Sequence, residues 1–382
     1  MNNVLQKFSL KEIQKKAFIW IVLASLIFLF YLSLQATNTG FSEKPLTNKA
    51  SSTKKSNTVS SANNVKQLGV VIPSTTLNNI GQHDLSATKV LPMAKIQTNM
   101  SIAVDFDINS TDVMVVLHMQ KTSGSTFGRH LVRDLEPPFT CEYVQKKMSL
   151  CPRPNGQETW LFSRFSRGWR CGVHAGWTSL TECVPHLFHD PKLERRYFYI
   201  TVLREPVARF LSEWGHVRRA ATWDQHKFLC NKVQTPQKVC WGEALDWRNA
   251  SLEEFINCDI NFGRNRQTRM LADLKLVNCS AFGDEEHDRI MLKSAKHNLM
   301  SMPFFGLAER QVDSQALFEQ TFGIKFTKQF VDKSETHVSN IVLDEEVSDK
   351  IRKLNHLDVQ LYKYAKEIFA RRYERIRKDK QK

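Results

Sequence analysis

The chain has 382 residues, 42% of them apolar and 24% charged, and a formal net charge of +15. It is too long for one small module and too apolar for a disordered chain, so a sizeable core is expected. The charge is uneven: residues 1–34 carry +3, 35–110 another +3 and the last 22 residues +6, leaving about +3 for 111–360. Global charge is therefore no argument that the body binds a polyanion.

The first predicted element is residues 17–34, an uninterrupted run of 18 uncharged and mostly apolar residues. It follows Lys7, Lys11, Lys15 and Lys16, with Glu12 the only acid. Its length suffices to span a bilayer, and the basic flank predicts a cytoplasmic N-terminus. The run exceeds a usual signal-peptide core and has no convincing cleavage site, so an uncleaved signal anchor is expected. Residues 35–110 are rich in Ser, Thr, Asn and Lys without sustained periodicity and read as a flexible stem. The expected organisation is a cytoplasmic tail (1–16), a transmembrane anchor (17–34), a lumenal stem (35–110) and one folded domain (111–382).

A lumenal body fits two further features. N-x-Ser/Thr acceptors stand at Asn99, Asn109, Asn249 and Asn278. All eight cysteines lie between Cys141 and Cys279, and an even number in a lumenal domain predicts disulfides, with connectivity left open. Their spacing lacks the paired pattern of a zinc site, and no metal is expected.

The body opens on an apolar strand, Val113-Met114-Val115-Val116-Leu117-His118-Met119, that runs into Gln120-Lys121-Thr122-Ser123-Gly124-Ser125-Thr126-Phe127 and then a helical stretch. A small-residue loop leading into a helix N-terminus, with a lysine beside it, suits a nucleotide phosphate. The usual triphosphate loop ends in Gly-Lys-Ser/Thr, whereas here Lys121 precedes Gly124. This lysine-first order resembles the 5′-phosphosulfate loop of sulfotransferases.

Next, Lys146, Lys147, Arg153, Arg164, Arg167 and Arg170 are interleaved with Trp160, Phe162, Phe165 and Trp169. Basic and aromatic mixing of this kind suits a sulfated sugar or a nucleic acid equally. A lumenal address excludes most nucleic-acid roles, and no nucleic-acid partner is expected. A second predicted strand, residues 196–203, delivers Arg204 to Glu205-Pro206, and proline at the first helical position starts a helix well. Val207, Phe210, Leu211, Trp214 and Val217 form its apolar stripe, with Ser212 and His216 on another face. Ligands of α/β sheets sit beyond the carboxyl ends of strands, so Arg204 and Ser212 could hold an anion near the first loop. Arg204 could equally be an ion-pair partner of Glu205 or Glu213. The tail from 346 to 378, with Ile351, Leu354, Leu357, Leu361, Ile368 and Phe369 at near-helical spacing, is expected to form one long helix with a basic end.

Taken together, the strings at 120–132, 158–166, 203–217, 221–223, 265–274 and 304–307 resemble the heparan sulfate 6-O-sulfotransferase family over residues 112 to 370. That resemblance implies an α/β fold with a mostly parallel sheet flanked by helices and a P-loop-like sulfotransferase site. It implies sulfuryl transfer in the Golgi from 3′-phosphoadenosine 5′-phosphosulfate (PAPS) to the 6-hydroxyl of glucosamine in heparan sulfate. The general base implied is His174, in Cys171-Gly172-Val173-His174; by composition alone His118, His130 and His216 are equal candidates. His118, Met119, Gln120, Lys121, Thr122, Ser123, Gly124, Ser125 and Thr126 would hold the 5′-phosphosulfate, and Arg204 and Ser212 the 3′-phosphate. Val331, Asp332, Lys333, His337 and Val338 match a later donor contact poorly, because His337 replaces an arginine. Lys146, Lys147, Arg164, Trp169, His174, His216 and Trp223 would line the acceptor groove. Ser123 stands where the family has glycine, which costs backbone freedom. The alternatives weighed are another glycan O-sulfotransferase, such as a 2-O enzyme, a catalytically inactive heparin-binding membrane protein, and a lumenal kinase.

Overall fold

A computed structural model describes residues 103–379 except 145–147, 155, 157, 189, 191, 220–227, 232, 236–246 and 332–342. The predicted anchor and most of the predicted stem lie outside the described residues, among which no helix is long and apolar enough to cross a membrane.

Four strands build the central sheet: β1 (Val113–Leu117), β4 (Leu161–Phe162), β5 (Tyr197–Leu203) and β8 (Phe304–Leu307). Their order is β4-β1-β5-β8 and every pairing is parallel. Every residue of β1 and β5 is buried, as a parallel sheet covered on both faces requires. The covering helices are α1 (Gly124–Arg133), α2 (Trp177–Leu187), α3 (Pro206–Val217), α4 (Leu252–Asn257), α5 (Arg266–Leu271), α6 (Glu285–Ser301), α7 (Gln311–Phe322), α8 (Glu345–Leu354) and α9 (His356–Asp379). Two short hairpins, β2/β3 (Glu142–Tyr143 with Ser149–Leu150) and β6/β7 (Phe228–Cys230 with Val233–Thr235), lie outside the sheet. After β1 the chain adds β4 on one side and then β5 on the other. The carboxyl ends of β1 and β5 thus flank a topological switch point, where such sheets bind ligands.

The sheet and its flanking helices match expectation, with three differences. The first strand stops at Leu117, because His118 and Met119 already belong to the loop. Phe106 and Ile108, assigned above to the stem, are buried in the main core, where Phe106 meets Trp160, Phe198 and Phe322 edge-on. The expected single C-terminal helix is two, broken at the fully buried Asn355. Its side-chain oxygen accepts from Asn265 N at 3.1 Å and its amide donates to Ile351 O at 2.9 Å. Local bonding by an Asn side chain competes with helix continuation, which apolar spacing does not register.

The cysteines pair as expected in kind. Cys141–Cys151, Cys171–Cys183 and Cys230–Cys279 are disulfides, and Cys258 is also disulfide-bonded. Three of the four glycan acceptors, Asn109, Asn249 and Asn278, are exposed; Asn99 lies outside the described residues.

Candidate active site at the ends of β1 and β5

Beyond Leu117 the chain makes a tight loop into α1. Lys121 and Ser123 both sit in the left-handed region, at φ 67° and 64°. For residues with a Cβ that conformation is unfavourable and persists only where surrounding contacts hold it. Ser123 is the residue that stands in place of a glycine, so the expected loss of backbone freedom falls on a position that needs it. Gly124 opens the helix, and a Cβ there would lie 2.8 Å from His118 Nδ1. Ser123 makes no side-chain cap, and its carbonyl accepts from the amides of Thr126 and Phe127 at 2.9 and 3.1 Å, so an outside acceptor would meet those of Gly124 and Ser125. Met119, Gln120 and Thr122 are buried, whereas Lys121, Ser125 and Thr126 are half-exposed along the loop.

Arg204, at the end of β5, closes over this loop. Its Nη1 donates to Lys121 O at 3.1 Å, and its own backbone N–H and C=O are both held by the Gln267 side chain at 2.9 Å. Glu205 caps α3 by accepting from Ala208 N at 2.7 Å, while Glu213 receives Arg209 and Arg266. The geometry therefore brings Arg204 to the loop, as the anion-site reading requires. Ser212 is buried on the adjacent α3. Lys121 is pushed below its ordinary pKa by burial and by the neighbouring Arg219 and Arg204, with Glu213 acting in the opposite sense. His216, on the exposed side of α3, is lowered by burial, Lys121 and Arg219. Lys121, Arg204, Arg219 and His216 thus lie within reach of one another's charge, a repulsion that a bound phosphate relieves.

Two histidines meet where the same loop leaves β1. His118 is buried, and burial together with Arg164 lowers its pKa to about 3. Arg164 Nη1 lies 3.2 Å from His118 Nε2 and 3.4 Å from Ser125 Oγ. Because a guanidinium only donates, His118 Nε2 must accept, and the ring is neutral. The ring of His174 stacks on that of His118 with centroids 5.1 Å apart. Its Nδ1 lies 3.3 Å from His118 O. A carbonyl only accepts, so Nδ1 carries the proton and the basic lone pair of His174 is on Nε2. The Cys171–Cys183 disulfide ties the His174 segment to α2.

The structure thus brings Arg164, His174 and Arg204 into contact with the loop of His118 to Thr126 and sets His216 within electrostatic reach of Lys121 and Arg164, while Ser212 is buried on α3. His130 is engaged elsewhere, bonded to Asp134 at 2.8 Å and stacked on Phe330. Val331 is exposed just after the buried Phe330. Lys146, Lys147, Trp223, Asp332, Lys333, His337 and Val338 lie outside the described residues, as does the side chain of Trp169. Among the described residues no group of three or more His, Cys, Asp or Glu side chains is placed to hold a metal. Residues given no role from sequence, Arg266 and Gln267 foremost, hold the crevice from behind. Their signal was the 265–274 string of the family resemblance, which assigned them no role; its polar start, Asn265-Arg266-Gln267-Thr268-Arg269, is buried throughout.

A parallel α/β sheet with a lysine-bearing loop, a helix N-terminus and an arginine at its switch point has the features that suit an anionic, phosphate-bearing ligand. Residues 104–365 match the sulfotransferase family. Heparan-sulfate 6-O-sulfotransferase 1-B of Danio rerio is 47% identical over 71% of this chain and 69% of its own length. Heparan-sulfate 6-O-sulfotransferase 1 of Cricetulus griseus and that of Homo sapiens are each 48% identical over 70% of this chain, and over 70% and 68% of their own lengths. The chain belongs to the heparan-sulfate 6-O-sulfotransferase family of sulfotransferases.

Proposed function

We propose that this protein is an enzyme that transfers a sulfuryl group from PAPS to the 6-hydroxyl of glucosamine residues in heparan sulfate. The observation that carries the reading is His174, its basic Nε2 set by the bond from Nδ1 to His118 O, beside the phosphate loop. The donor residues suit a doubly phosphorylated ligand: α1 amides and Lys121 for the 5′ end, Arg204 and Ser212 for the 3′-phosphate.

The donor supplies an activated sulfate whose departure leaves adenosine 3′,5′-bisphosphate. A sugar alcohol is a poor nucleophile near neutral pH, so His174 Nε2 accepts its proton as the new oxygen–sulfur bond forms. Lys121 and the first-turn amides of α1 stabilise the negative charge that builds on the leaving phosphate. Neutral His118 adds no competing charge beside the base, and its carbonyl holds the tautomer of His174. Arg164 and His216, with Lys146, Lys147, Trp169 and Trp223, would engage acceptor sulfates, carboxylates and ring faces.

The cellular reading is a single-pass Golgi membrane protein anchored by residues 17–34 with its catalytic domain in the lumen. Supporting it are the apolar run, the disulfides and the exposed glycan acceptors. The test is transfer of labelled sulfate from PAPS to desulfated heparan sulfate by the full chain, followed by disaccharide analysis. Label on the glucosamine 6-hydroxyl is expected. Label on another hydroxyl would move the regiospecificity, and no transfer would favour a heparin-binding role.

A further inference from the structure

Behind the donor loop lies a buried polar chain that the proposed chemistry does not use. Gln120, 6% exposed, accepts through Oε1 from Arg266 Nη1 at 3.0 Å. Its Nε2 is buried without a partner among the described residues. Arg266 pairs with Glu213 through both its Nε, at 3.0 Å, and its Nη2. Arg209, one turn earlier on α3, donates to the same carboxylate. Glu213 is the residue after Ser212, so this chain runs from the 5′ side of the donor site to the helix that carries the 3′ side.

The loop needs such support. Lys121 and Ser123 hold left-handed conformations, and Arg204 braces the loop at Lys121 O from the β5 side. Among the described residues, Gln120 is the loop side chain that reaches the buried cluster on the other side, through its 3.0 Å bond from Arg266. A guanidinium suits this bridge because it is a planar fork that serves two acceptors at once, which an ammonium does not reproduce.

We propose that Arg266 is a positioning residue for the donor loop: clamped by Glu213, it holds Gln120 and thereby sets the backbone of residues 119–123 against α3. This rests on the reading of that loop as the donor site. A purely structural role for Arg266, neutralising Glu213 in the core, is the rival account.

Adenosine 3′,5′-bisphosphate is the probe, titrated calorimetrically into the full chain and its variants, with melting temperatures recorded in parallel. Arg266→Lys keeps the charge opposite Glu213 but loses the bridge, and Gln120→Met keeps the bulk but loses the acceptor. Each is expected to weaken binding by about tenfold, and the double variant by no more than either single, because both remove one interaction. Acceptor KM is expected to stay unchanged. Hydrogen exchange of the ligand-free protein gives an arm independent of Arg266 variants: Gln120→Met is expected to speed exchange at residues 119–123. A lowered melting temperature with unchanged affinity in Arg266→Lys, additive losses in the double variant, or unchanged loop exchange in Gln120→Met would each overturn the proposal. Lys121→Ala separates the two readings. If it abolishes binding while Gln120→Met and Arg266→Lys leave affinity unchanged, positioning fails alone; if Lys121→Ala also leaves binding intact, the donor-site reading fails.

Discussion

Two buried polar clusters adjoin the first loop, one at His118 and one at Gln120, and burial has opposite consequences in them. Around His118 the nearest charge is Arg164, so desolvation and a like charge act together and the imidazole stays neutral, with a pKa near 3. Around Glu213 desolvation opposes ionisation, yet Arg266 and Arg209 overcome it and hold the carboxylate at about 2. The first cluster keeps a neutral ring beside the proposed base; the second keeps a fixed charge behind the donor loop. What a buried group does is thus decided by its neighbours, not by depth.

The comparison breaks most severely at Glu213. Glu213→Ala would leave Arg209 and Arg266 buried without their shared partner, and such losses typically cost about 3–5 kcal/mol. Denaturant unfolding checks this; a loss below about 1 kcal/mol would show that the cluster is dispensable. Arg204→Ala comes next. It removes both the brace on Lys121 O and the proposed 3′-phosphate contact, and is expected to weaken adenosine 3′,5′-bisphosphate binding more than tenfold, as charged hydrogen bonds are worth about 1.5–3 kcal/mol.

The two clusters also differ in acid. The folded pKa of Glu213 is depressed, so its contribution is full above about pH 4.5 and is lost as pH falls toward 2. His118 is also depressed, so the unfolded chain takes up a proton that the folded protein refuses, and stability declines as pH falls from about 6.5 toward 3. His118→Gln is expected to flatten the stability profile between pH 6.5 and 4.5 and to make it shallower from 4.5 to about 3, leaving the Glu213 contribution below that. The smallest effect is expected from Lys146→Ala with Lys147→Ala: a raised acceptor KM whose difference from wild type shrinks with salt, as salt screens attraction between charges in solvent.

How much of this was legible in the sequence depends on how local the signal is. The strand, loop and helix from Val113 to Arg133 and the Arg204-to-Pro206 junction were readable because each is a contiguous pattern with its own chemistry. The Arg266–Gln120 bond spans 146 residues, and nothing in either local string announces the other. His174 was one of several equal histidines until a family pattern singled it out. In the structure the His174 ring meets the His118 carbonyl at the loop, whereas His130 bonds Asp134 and stacks on Phe330. The break at Asn355 was hidden because apolar spacing continues across it while the polar side chain bonds back to its own helix.

The most direct test of the central claim is His174→Ala, assayed for both sulfate transfer and adenosine 3′,5′-bisphosphate affinity. A base that touches only the acceptor predicts that transfer falls by about 10²–10⁴-fold while that affinity stays within twofold or so of wild type. Retained transfer, or an equal loss of ligand affinity, would contradict it.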